Sequence, residues 1–276
     1  MKITIILFGF ILANPNAATK PKPCIGDQAT LQETRGSLEK LVFESLRIFN
    51  CSQEFDPVFR VAMEMERNLI AFKDQHLPAL LRVSNSQIEG QVREETKDLI
   101  LAMAEARPGM SSLYNPQKAK KRLEEIYEEI PEENLKALVL LLHARLLRDR
   151  YPDKAEKIMG QFFSNFKNNL GSYSGAIASM FMGNILADLG KTQEAVALYT
   201  ESLLAYKNAE MMPGISMEPY LIHGLAAALN ANGDVRQAVY YLRQLPQRFR
   251  DYEGISTALL EIDYLEKEVL KESSGN

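Results

Sequence analysis

Apolar residues recur at three- and four-residue spacing along almost the whole chain, and no run of β-branched residues alternates long enough with polar ones to make a sustained strand. Such spacing places the apolar side chains on one face of a helix, and that face must be buried against another element. The predicted fold class is therefore all-α. With 276 residues, 46% hydrophobic and 25% charged, the chain carries enough apolar surface for a core in one or two domains. Its formal net charge of −4 lacks the excess of cations that phosphate neutralisation requires, so a nucleic-acid partner is not expected.

Breakers divide this helical pattern. One helix is predicted from after Asp27 to about Asn50, and Asp56-Pro57 opens a second that runs to about His76. A third is expected from about Asn85 to Ala106, ending at Arg107-Pro108-Gly109, the best candidate boundary in the chain. Beyond it the punctuation becomes regular: Asn115-Pro116, Ile130-Pro131, Tyr151-Pro152, Gly171-Ser172, Gly190-Lys191, Pro213-Gly214, Gly233-Asp234 and Arg250-Asp251. Short helices joined by tight turns are neighbours in space.

The first residues have the layout of a secretory signal peptide. Lys2 is followed by an apolar run from Ile3 to Ala13, then by small and polar residues, with cleavage expected after Ala18. That run is shorter than the roughly 20 residues a membrane-spanning helix requires, so no stable span is expected. Export to the periplasm or the exterior makes a disulfide between the two cysteines, Cys24 and Cys51, the expected pairing, with two unpaired thiols as the alternative.

Two stretches align with each other. Gly183 to Ala195 and Ala226 to Ala238 each begin with a small residue, followed three positions later by Leu186 or Leu229. Seven positions on stands a turn glycine, Gly190 or Gly233, and twelve on Ala195 or Ala238, with the bulky Tyr199 or Leu242 four further. Ala155 with Met159 and Ala119 with Leu123 repeat the last part, giving alanine spacings of 36, 40 and 43 residues. The pattern resembles the tetratricopeptide repeat over roughly residues 111–252. The resemblance implies a right-handed superhelix, an α-solenoid of helical hairpins, with residues 19–110 as an N-terminal helical region and 253–276 as a capping helix and tail. The N-terminal helices either continue the superhelix or fill its groove. The cap is expected to turn a charged face outward through Glu266, Lys267, Glu268, Lys271 and Glu272.

Chemistry-bearing motifs are weak. His76, His143 and His223 have no His or Cys neighbour at metal-ligand spacing, so no metal, cofactor or catalytic residue is assigned. Ser37-Leu38-Glu39-Lys40 matches one element of penicillin-recognising enzymes without its companions. The acidic run around Glu124, Glu125, Glu128 and Glu129 reads as a solvated helix face, and Met211, Met212 and Met217 as a flexible apolar loop.

The expected function is a noncatalytic protein- or peptide-binding scaffold of the cell envelope. Its alternatives are an accessory domain of a wall-acting enzyme, a cryptic enzyme of that kind, and a purely structural subunit. In a tetratricopeptide-like hairpin the ligand surface lies on the first helix, which selects Met180, Phe181, Asn184 and Asp188 in one unit and Tyr220, His223, Ala227 and Asn230 in the next. Simple packing of these side chains on neighbouring helices is the competing expectation.

Overall fold

The computed structural model describes residues 38–72, 94–106, 113–212 and 214–274. The signal peptide, Cys24, the break after His76 and the boundary at Arg107-Pro108-Gly109 lie outside the described residues. Within them the chain is predominantly helical, as its periodicity requires. The helices are α1 (Leu38–Cys51), α2 (Phe55–Phe72), α3 (Glu94–Glu105), α4 (Pro116–Glu129), α5 (Glu133–Arg148), α6 (Pro152–Phe166), α7 (Ser172–Asp188), α8 (Thr192–Tyr206), α9 (Glu218–Ala231), α10 (Val235–Arg248) and α11 (Ile255–Ser274).

The breakers do what their chemistry dictates. Pro116 and Pro152 open α4 and α6 in the first turn, where a missing N–H costs nothing, and the Asn115 side chain accepts from the Lys118 N–H at 3.0 Å. Gly190 and Gly233 adopt φ of 72° and 88° and end α7 and α9. Behind each glycine the chain folds back: Lys191 N–H reaches the Leu186 carbonyl at 2.9 Å, and Asp234 N–H reaches that of Leu229 at 2.8 Å. Both are left-handed helix stops that only glycine adopts without strain.

Consecutive helices pack in pairs: α1 on α2, α3 on α4, α5 on α6, α7 on α8 and α9 on α10. Four of these pairs share one detail. Ala119 with Leu123, Ala155 with Met159, Ala195 with Tyr199 and Ala238 with Leu242 are all buried to 1% exposure or less, each at the same place on the second helix of its pair. The first helices also touch one another, α5 on α7 and α7 on α9. One buried apolar core runs from Leu46 to Leu265, crossing the boundary expected near residue 110, with α3 before it paired to α4 after it.

Helix α2 does not simply precede this row; it lies against α7 and α5. Val58, Phe59, Val61, Ala62 and Met65 are fully buried, and the rings of Phe55 and Phe59 stand 6.1 and 6.3 Å from those of Phe166 and Phe162. At about 1.5 to 3 kcal/mol per fully buried large apolar side chain, α2 is part of the core rather than an appendage.

One expectation is corrected. The methionine segment is a small antiparallel hairpin of β1 (Glu210–Met212) and β2 (Ile215–Ser216), not an apolar loop, because α2 supplies partners for its backbone. Arg60 Nη1 donates to the Met211 carbonyl at 2.8 Å and also to that of Glu210, while Met217 is fully buried. Of the charged residues expected on the outer face of α11, Lys267 is exposed, and the side chains of Glu268, Lys271 and Glu272 lie outside the described residues. Leu260 and Tyr264 are 73% and 63% exposed beside Lys267, while Glu266 turns back to accept from Arg243 at 2.6 Å.

Candidate binding cleft

The eight residues selected on α7 and α9 do not converge on one surface, and Ala227 is simply exposed. Asn184 and Met180 are engaged by their own hairpin partner: the Tyr199 hydroxyl lies 2.9 Å from Asn184 Oδ1 and 3.2 Å from the Met180 carbonyl. Burial raises the pKa of that phenol, so it remains a neutral donor. Tyr220 and His223 face the C-terminal cap. The Tyr220 hydroxyl donates to Glu253 at 3.2 Å, His223 Nδ1 lies 2.8 Å from the Tyr252 hydroxyl, and His223 Nε2 lies 2.9 Å from Glu261 Oε2. Asn230 is exposed at the end of α9.

Phe181 and Asp188 face the other way, toward α5. Asp188 receives both the Nε and the Nη2 of Arg148, at 2.5 and 3.2 Å, and this hydrogen bonding raises the Arg148 pKa. The Arg145 guanidinium lies 5.3 Å from the centre of the Phe181 ring and is ion-paired with Glu66 of α2. Burial lowers the Arg145 pKa to about 10, which still leaves it charged at neutral pH.

Phe181, Arg145, Arg148 and Glu66, but not Asp188, line a cleft of approximately 430 Å³ between α3, α4, the C-terminal half of α5 and the start of α6. Ala102, Met103, Leu123, Leu142 and Phe181 supply apolar surface, and Lys120, Arg145, Arg148, Arg150 and Lys154 bring positive charge. Tyr114 and Tyr151, among the few large apolar side chains exposed to water, also line it at 42% and 48% exposure. The Lys154 ammonium stands 4.9 Å from the Tyr151 ring centre.

Helix endings explain why these side chains meet. Tyr114 and Tyr151 stand just before the prolines that open α4 and α6, where the chain turns at the surface. Arg145 stands within the apolar run Leu138 to Leu147 of α5, and Arg148 directly follows it. Both signals are visible in the sequence as cations within and just after an apolar run and as a tyrosine before a helix-opening proline. What the sequence lacked was the side of α5 that faces α3.

The cleft combines cations, aromatic rings and aliphatic carbons, the composition of energetic anchors in protein interfaces, with the carboxylates of Glu66 and Asp149. No group of three or more metal-ligating side chains occurs among the described residues, and no described helix is long and apolar enough to cross a membrane. Compared with protein-family models and with curated proteins, the chain finds no match in either.

Proposed function

We propose that the protein is a noncatalytic scaffold of the cell envelope that binds a protein or peptide segment on the first-helix side of a right-handed stack of tetratricopeptide-like hairpins. The stacking of α5, α7 and α9, the two glycine stops and the buried alanine shared by α4, α6, α8 and α10 support the repeat reading. Export rests on the layout of residues 1–18. Because α2 occupies part of the surface formed by α5 and α7, binding concentrates where α2 leaves it open, at the cleft containing Phe181.

One observation carries this reading: Phe181 sits beneath Arg145 in a cleft with two water-exposed tyrosines, so an apolar anchor and several hydrogen-bonding groups are presented together. A photoreactive phenylalanine analogue placed at Tyr151 should crosslink a discrete protein in envelope extracts, whereas the same analogue at the exposed Tyr240 of α10 should not. Capture of the same proteins from both positions, or of none from Tyr151, would remove the cleft as the contact surface.

A further inference from the structure

We infer that the segment taken by this cleft is an acidic peptide stretch carrying one aromatic or aliphatic anchor side chain, an inference that rests on the cleft being the binding surface. Five cations line it against two carboxylates, Glu66 and Asp149, on a chain whose net charge is −4. Three of the cations are already matched: Arg145 by Glu66, Arg148 by Asp188, and Lys120 by Glu124 at 3.4 Å. The remaining two are not. Lys154 contacts the Tyr151 ring, Arg150 is exposed, and neither forms an ion pair with a described carboxylate.

An incoming carboxylate therefore gains a cation at Lys154 or Arg150 without breaking an existing pair. A basic segment would find only Asp149, whose charge already acts on Arg145 and Arg148, and beyond it would have to displace Arg145 or Arg148 from its carboxylate. Leaving a mostly buried charge such as Glu66, at 7% side-chain exposure, without its cation is the expensive outcome in such exchanges. The apolar surface of Met103, Leu142 and Phe181 calls for a hydrocarbon or ring between the carboxylates, which phosphate ions and nucleic-acid backbones do not offer. A free chain terminus is not required. Asn184, the residue that would hold a terminal carboxylate in a tetratricopeptide groove, is engaged by Tyr199.

The test is a selection of random nine-residue displayed peptides on the full chain at low salt. The expected survivors carry Asp or Glu on both sides of a Phe, Tyr, Leu or Met. As synthetic peptides they should lose at least about tenfold in affinity for the Arg150→Glu/Lys154→Glu variant, and should weaken as sodium chloride rises. Arg150→Gln/Lys154→Gln, which adds no negative charge, should give an intermediate loss, with the helical circular dichroism of both variants preserved. Survivors without acidic enrichment, or acidic survivors that bind the reversed variant as tightly as the parent, overturn the inference. Displacement by inorganic phosphate or duplex DNA at matched ionic strength would also overturn it, by assigning the cleft to anions generally. The two readings separate cleanly: acid-free survivors weakened by Phe181→Ala leave the cleft in place and remove only the acidic class, whereas no survivors at all remove both.

Discussion

The carboxylate of Asp56 caps the helix that begins beside Ser174, 118 residues further along the chain. Its oxygens accept from the Ser174 N–H at 2.8 Å, the Ser174 hydroxyl at 2.6 Å and the Tyr173 N–H at 3.1 Å. The residue that caps α7, Gly171, has no side chain with which to satisfy the helix's orphan amides, so α2 supplies the acceptor. Negative charge at a helix N-terminus is also favoured by the helix dipole.

Asp56→Ala should therefore destabilise the fold by about 1 to 2 kcal/mol, the usual cost of losing a cap, as measured by urea unfolding. A Cβ at Gly171 would stand 2.4 Å from the Asp56 carboxylate, so Gly171→Ala should also destabilise. In the double variant the two costs should fall short of their sum, because the clash disappears with the carboxylate. Full additivity would show that the two residues do not meet.

Tyr199 lies between two glycines. A Cβ at Gly183 or at Gly224 would approach its ring to 2.5 or 2.4 Å. Gly183→Leu and Gly224→Ala should each overpack this site at a cost of about 1 to 3 kcal/mol. Unchanged melting temperature in Gly183→Leu would place the helix crossing elsewhere.

The selected residues should now separate by role. Phe181→Ala should weaken partner binding while the melting temperature changes little. Asn184→Ala should act mainly on stability, because it removes the nearer of the two acceptors of the buried Tyr199 hydroxyl and leaves the Met180 carbonyl, at about 0.5 to 1.5 kcal/mol. Reversal of this pattern, with binding lost in Asn184→Ala and kept in Phe181→Ala, would move the contact surface from the cleft to the Asn184 side of α7.

His143 is mostly buried on α5, facing Glu124 at 3.8 Å with Lys120 nearby, and burial lowers its pKa. The folded state thus binds the proton more weakly than the unfolded chain, whose histidine titrates near 6.5. Stability contributed by the neutral imidazole is full above that value and is lost as the pH falls below it. The parent should lose more stability between about pH 7 and pH 5 than His143→Gln; equal slopes would show that other groups dominate this window.

The mature protein is expected to begin near Thr19 and to carry a Cys24–Cys51 disulfide, which the chain-entropy view values at about 3 kcal/mol. N-terminal sequencing with nonreducing peptide mapping checks both parts. Retained Met1 together with two alkylatable thiols would sink them.

The sequence by itself determined the helices, their turns and the small residues at which they cross. Those features are local: the three- and four-residue spacing marks one buried face, Gly190 and Gly233 are read from a turn that needs positive φ, and Ala195 and Ala238 from their distance to a bulky neighbour. Only the tertiary structure decided what each face meets. The spacing of Val58, Phe59 and Ala62 shows that α2 must be buried but not that it lies on α7 and α5, and nothing near Gly171 announces that Asp56 will cap it. The same limit explains the site. Phe181 was legible as a ring on the first helix of a hairpin, whereas Arg145, Lys154 and Tyr114 reach it from helices whose order in space is fixed by burial of the whole core, a nonlocal term that no window of sequence contains.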